Sequence, residues 1–157
     1  MFARAAVRGL TPEQLFDSLA EAVGFYQPYR RDNPFEINID SPRGRFIELF
    51  RSDADSALDH RSTILQALAM MNGDFVGNAT DLKNSRTLRA VAEFPLMSVE
   101  DRLDTLFLAA FSRSPTAEEK NIFVVHLAQA KTDNSEAAAL ADIFWALLNS
   151  SEFLLNH

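Results

Sequence analysis

Apolar side chains recur along this chain with a helical period almost throughout, and polar start and stop signals divide the pattern into short helices. Leu15, Phe16, Leu19, Ala20 and Val23 share one face. Just before them stands Leu10-Thr11-Pro12-Glu13-Gln14-Leu15. Thr11 is placed to cap, Pro12 suits the first helical position, and Gln14 completes a capping box. Leu10 and Leu15 are spaced for a hydrophobic staple, and Gly24 marks the stop.

From Phe25 to Asp40 the period disappears. Pro28 and Pro34 interrupt the segment, and Phe35, Ile37 and Ile39 alternate as in a short extended piece. Ser41-Pro42 then opens a short helix through Phe50, and Ser52 to His60 reads as a polar connection. A helix is expected from about Ser62 to Asn72, with Ile64, Leu65, Leu68 and Met71 inward. Gly73 should end it in a left-handed conformation. A short segment around Asp74 to Lys83 follows, then a helix from Ser85 to Phe94 closed by Pro95.

Ser98-Val99-Glu100-Asp101 is a variant capping box, and Leu103, Leu106, Phe107, Ala110 and Phe111 run along one face. Pro115 is expected to stop that helix. Thr116-Ala117-Glu118-Glu119 starts another, with Ile122, Phe123, Leu127 and Ala130 as its apolar side. After a polar turn from Thr132 to Ser135, Leu140, Ile143, Phe144, Leu147 and Leu148 form a wide stripe facing a core. Trp145 lies on its margin and is expected to be mostly buried. Asp142 and Asn149 point away. Ser150 or Ser151 caps one more turn carrying Phe153, Leu154 and Leu155, so the terminal residues are expected to be tied down. Together these patterns predict an all-α fold, a single compact domain over residues 1–157 with about seven helices and an irregular segment near residues 25–40.

Composition narrows the function classes. The chain has 157 residues, a length that suits one domain with a sizeable core. Its net charge of −7 argues against binding nucleic acid or an anionic membrane surface, which require clustered Lys and Arg. The basic residues around Arg30-Arg31 and from Arg43 to Arg51 read as solvated loop. With no cysteine, disulfides, thiolate metal sites and thiol catalysis are excluded. No apolar run reaches the roughly 18 residues of a membrane span, so membrane insertion is not expected. Residues 1–8 lack the apolar region of a signal peptide, and the start resembles a chain entered in its middle.

Candidate chemistry is sparse. His126 falls within the Ile122-Phe123-Ala130 face and reads as a core or edge histidine. His60 and His157 have no closely spaced partner, so no zinc site is indicated. Asp53 to Asp59 lacks the glycine and the distal glutamate of a calcium loop. Asn78-Ala79-Thr80 matches a glycosylation triplet but reads as a cap or loop. Glu100-Asp101 and Glu118-Glu119 lie in first helical turns, where the helix dipole already accounts for them. Most of the 13 phenylalanines lie on helical stripes and read as core, whereas Phe25, Tyr26, Tyr29 and Phe35 fall in the irregular segment. No catalytic, cofactor-binding or metal-binding residue is assigned.

Five strings carry a resemblance. They are RGLTPEQLFDSLAEAVG at Arg8 to Gly24, GRFIELFRSDAD at Gly44 to Asp55, STILQALAMMNGDFV at Ser62 to Val76, RLDTLFLAAFSRSPTAEE at Arg102 to Glu119, and the terminal ALADIFWALLNSSEFLLNH. In this order they resemble the C-terminal domain of unknown function of large planctomycete proteins, planctomycete-specific domain one. The resemblance implies a piece of a larger exported protein, periplasmic or at the cell surface, with upstream domains that often include a c-type-cytochrome-like one. The haem-attachment motif CxxCH is absent here, and the family has no agreed catalytic residues to carry over. Three function classes stay open: a non-catalytic packing or interaction module of a larger exported protein, part of an enzyme active site completed by upstream domains, and a helical nucleic-acid regulator. The negative charge makes the third the weakest. A cleft near Arg45, Arg51, His60 and Asn72 would favour the second.

Overall fold

The structure is a computed structural model and describes residues 8–26, 41–51, 76–77, 80–132 and 135–156. The fold is all-α. The described residues form seven helices: α1 (Pro12–Val23), α2 (Pro42–Arg51), α3 (Arg86–Glu93), α4 (Val99–Phe111), α5 (Ala117–Thr132), α6 (Glu136–Leu148) and α7 (Ser151–Leu154). The expected extended piece at Phe35 to Ile39, the helix from Ser62 to Asn72 and the Gly73 stop lie outside the described residues. Two two-residue strands, β1 (Arg8–Gly9) and β2 (Leu155–Asn156), pair antiparallel, Arg8 opposite Asn156 and Gly9 opposite Leu155.

The local start signals work as their chemistry dictates. The Gln14 amide donates to Thr11 Oγ1, and the Gln14 side chain accepts from the Thr11 amide. Ser98 and Asp101 make the same reciprocal pair at α4, and Thr116 and Glu119 at α5. Each box satisfies two amides that would otherwise lack an acceptor in the first turn. Gly24 closes α1 with φ +68°, and its amide and that of Phe25 turn back to Glu21 and Ala20. This is the Schellman arrangement, which needs a left-handed residue. A Cβ on Gly24 would also stand 3.1 Å from Arg86 Cβ, so the site excludes side chains twice over.

One hydrophobic cluster draws on α1, α2, α3, α4, α5, α6 and α7. Phe107, Phe144, Leu103, Leu106, Leu127, Leu140 and Leu148 are fully enclosed in it. Phe16 meets Phe46 and Phe25 edge-on, joining α1 to α2, and Phe107 meets Phe111 and Phe123, joining α4 to α5. The α6 stripe is buried in full, and Phe153 of α7 extends it.

Five details depart from the sequence reading. The basic residues Arg43 and Arg45 sit on the helix α2 instead of in a solvated loop, and Arg43 pairs with Asp17. The helix α4 ends at Phe111, where Ser112 takes a left-handed conformation at φ 57°, three residues before Pro115. On α5, Ile122 is 61% exposed; Phe123, Val124, Leu127 and Ala130 face in instead. His126 is exposed rather than a core or edge residue, because it sits about 100° around the helix from Leu127. Trp145 is 36% exposed, since it follows Phe144 by that same step and leaves the stripe.

Candidate functional site

Two clusters of polar side chains are built by the packing of these helices. The first is at Arg113, just past the left-handed Ser112 that turns the chain out of α4. Its Nε and Nη2 donate to the two carboxylate oxygens of Glu152 at 2.7 Å each. Its Nη1 and Nη2 donate to Glu119 at 3.0 and 2.8 Å. The guanidinium lies over the rings of Phe107 and Phe111, 5.5 and 5.3 Å from their centroids. The Arg113 guanidinium and the Thr116 amide hold the Glu119 carboxyl at about 2, well below its ordinary 4.5. One planar cation thus fastens the end of α4, the start of α5 and the single turn of α7. Every hydrogen-bonding direction of Arg113 toward its neighbours is committed to structure, so this cluster serves cohesion.

The second cluster lines an open cleft of about 270 Å³ bordered by Ala92, Arg102, Lys131, Glu136, Ala137 and Leu140. Arg102 comes from the first turn of α4, Lys131 from the last turn of α5 and Glu136 from the first turn of α6. Arg102 Nη1 donates to Glu136 Oε1 at 3.0 Å, and Lys131 Nζ lies 3.8 Å from the same oxygen. Arg102 Nε is enclosed with no acceptor.

Of the histidines and cleft residues singled out in the sequence, only two have described side chains. Arg45 is exposed on α2, His126 is exposed on α5, and the Arg51 side chain, His60, Asn72, Asp53 to Asp59, Asn78 and His157 lie outside the described residues. Asp101 and Glu119 do serve first helical turns, and Ser98 hydrogen bonds hold the Asp101 carboxyl below its ordinary range. Among the described residues no group of three or more His, Asp or Glu stands ready for a metal ion, and no helix is long and apolar enough to cross a membrane. Sequence reasoning missed Arg113, whose partners include Glu152, 39 residues away. It also missed Arg102 and Lys131, which belong to different helices and share no local spacing.

A family model described as PSD1, a protein of unknown function (DUF1553), matches residues 27–127, more than half of the chain. The chain belongs to the PSD1 family. The matched residues contain the strings at Gly44 to Asp55, Ser62 to Val76 and Arg102 to Glu119. The string at Arg8 to Gly24 and the terminal one lie outside the PSD1 match. No curated protein and no solved structure matches the chain.

Proposed function

We propose that this PSD1 chain is a helical packing module of a larger exported planctomycete protein, placed in the periplasm or at the cell surface. It carries no catalytic site of its own and joins the upstream domains of that protein through the outer face of α5. The observation behind this reading is that α5 carries two large apolar side chains on its outer side, among exposed polar ones, as well as an apolar inner side. Its inner side supplies Leu127 and Ala130 to the core, while Ile122 and Val125 stand 61% and 59% exposed on the other. Ile122 and Val125 are three residues apart and so neighbours on the helix surface, which makes one contact point for an adjoining domain. Export and the upstream neighbours are what the family resemblance implies, and the cysteine-free composition is compatible with an exported location and an internal one alike. Replacing Ile122 and Val125 together by Lys tests the reading. The double variant of the isolated chain should keep its melting temperature. In the parent protein it should make the module separable from the upstream domains by limited proteolysis. A parent protein cleaved no faster than wild type overturns the proposal.

A further inference from the structure

Charge is balanced differently at the two polar clusters and at the remaining ion pairs. Arg113 faces two carboxylates, Arg43 pairs with Asp17, and Lys120 pairs with Asp104. Among the described ion pairs, cations outnumber carboxylates only where Arg102 and Lys131 share Glu136. That excess coincides with the open cleft of about 270 Å³. In a chain of net charge −7, a local positive excess facing a cavity calls for a cause.

We infer that this cleft binds the oxyanion group, carboxylate or phosphate, of a small ligand between Arg102 and Lys131. Arg102 is held by the core: its side chain is 14% exposed, and Glu136 fixes the guanidinium through Nη1 alone. The remaining charge of the guanidinium borders the cleft. Lys131 is 53% exposed, so its ammonium is free to swing from its 3.8 Å contact with Glu136 toward an incoming anion. A charge-assisted hydrogen bond from Nζ is stronger than that long ion pair. The start of α6, where Ser135 makes no side-chain cap, contributes partial positive charge of the same sign. Ala92, Ala137 and Leu140 form the apolar wall, which leaves room for a short carbon skeleton. This site is independent of the outer face of α5 that carries the packing role.

Amide chemical shifts of the intact chain, followed at constant ionic strength during separate titrations with inorganic phosphate and with acetate, test the inference. Saturable shifts are expected at Arg102, Lys131, Glu136 and Ala137 with at least one of the two. Saturation by acetate alone assigns a carboxylate, by phosphate alone a phosphate group, and by both an oxyanion of either kind. Lys131→Gln should weaken the binding roughly tenfold through loss of one charge-assisted bond. Ala137→Glu, which adds a carboxylate to the wall, should abolish it. Shifts absent with both anions, reproduced by chloride, or unchanged in Lys131→Gln would overturn the assignment.

Discussion

The hydroxyl of Ser85 donates to the backbone carbonyl of Val23 at 3.2 Å while accepting from the amide of Leu88 at 3.0 Å. One buried side chain therefore caps the start of α3 and closes the end of α1, 62 residues earlier in the chain. A local cap becomes a tertiary joint. Ser85→Ala removes both bonds and leaves a buried carbonyl and amide unmatched. It should cost about 2 kcal/mol, the upper range for a cap. Thr116→Ala, at an exposed cap, should cost about 1 kcal/mol or less. Urea denaturation of the two variants measures both, and equal losses would contradict the joint.

Gly24 stands beside that joint. Gly24→Ala imposes a side chain on a left-handed residue and brings its Cβ to 3.1 Å from Arg86 Cβ. The loss should exceed the roughly 1 kcal/mol of the conformational effect alone. Gly77 meets no atom within 4 Å of an added Cβ, and Gly77→Ala is the control that should lack this steric cost. Thermal melts that rank the two substitutions equally would argue against the close approach.

The Arg113 cluster predicts a dependence on pH. The folded Glu119 carboxyl is lowered from its ordinary 4.5 to about 2, first by Arg113. Between those values the unfolded chain binds more protons, so stability rises with pH there. The contribution is fully present above about pH 4.5 and is lost as pH falls through about 2. Wild type should be more stable than Glu119→Gln at pH 6, and the difference should shrink across this window. A difference constant from pH 6 to pH 2 would show that the charge of Glu119 plays no part.

Residues from Asp142 onward close the core. Ile143, Phe144, Leu147, Leu148 and Phe153 are all buried, and Leu155–Asn156 pairs with Arg8–Gly9. At roughly 1.5–3 kcal/mol for each large apolar side chain, their loss is comparable to the whole 5–15 kcal/mol of a typical domain. A chain truncated before Asp142 should show no cooperative melt. Retention of a cooperative transition and helical circular dichroism would contradict an intramolecular role for α6.

The legible parts of this fold are those encoded within a few residues. Thr11 with Gln14, Ser98 with Asp101 and Thr116 with Glu119 are three residues apart, so each cap reads directly from the chain. The α6 stripe is equally plain because its apolar positions all select one face. On α5 the period selects none: Ile122 and Val125 oppose Leu127 and Ala130, and only packing decides which pair is inward. The β1–β2 ladder joins opposite ends of the chain with two residues from each, too few to leave an alternation. Arg113 and Arg102 look like ordinary helix-end and helix-surface arginines until α7 and α6 bring Glu152 and Glu136 to them. The candidate cleft depends on such distant pairs, and so it was invisible to local spacing.

The proposed packing of α5 against upstream domains is tested most directly by hydroxyl-radical footprinting. Ile122 and Val125 should be oxidised readily in the isolated chain, where both are well exposed. In the parent protein, with its upstream domains present, both should become protected to the level of buried Leu127. Oxidation of Ile122 and Val125 at the same rate in the parent protein and in the isolated chain would contradict it.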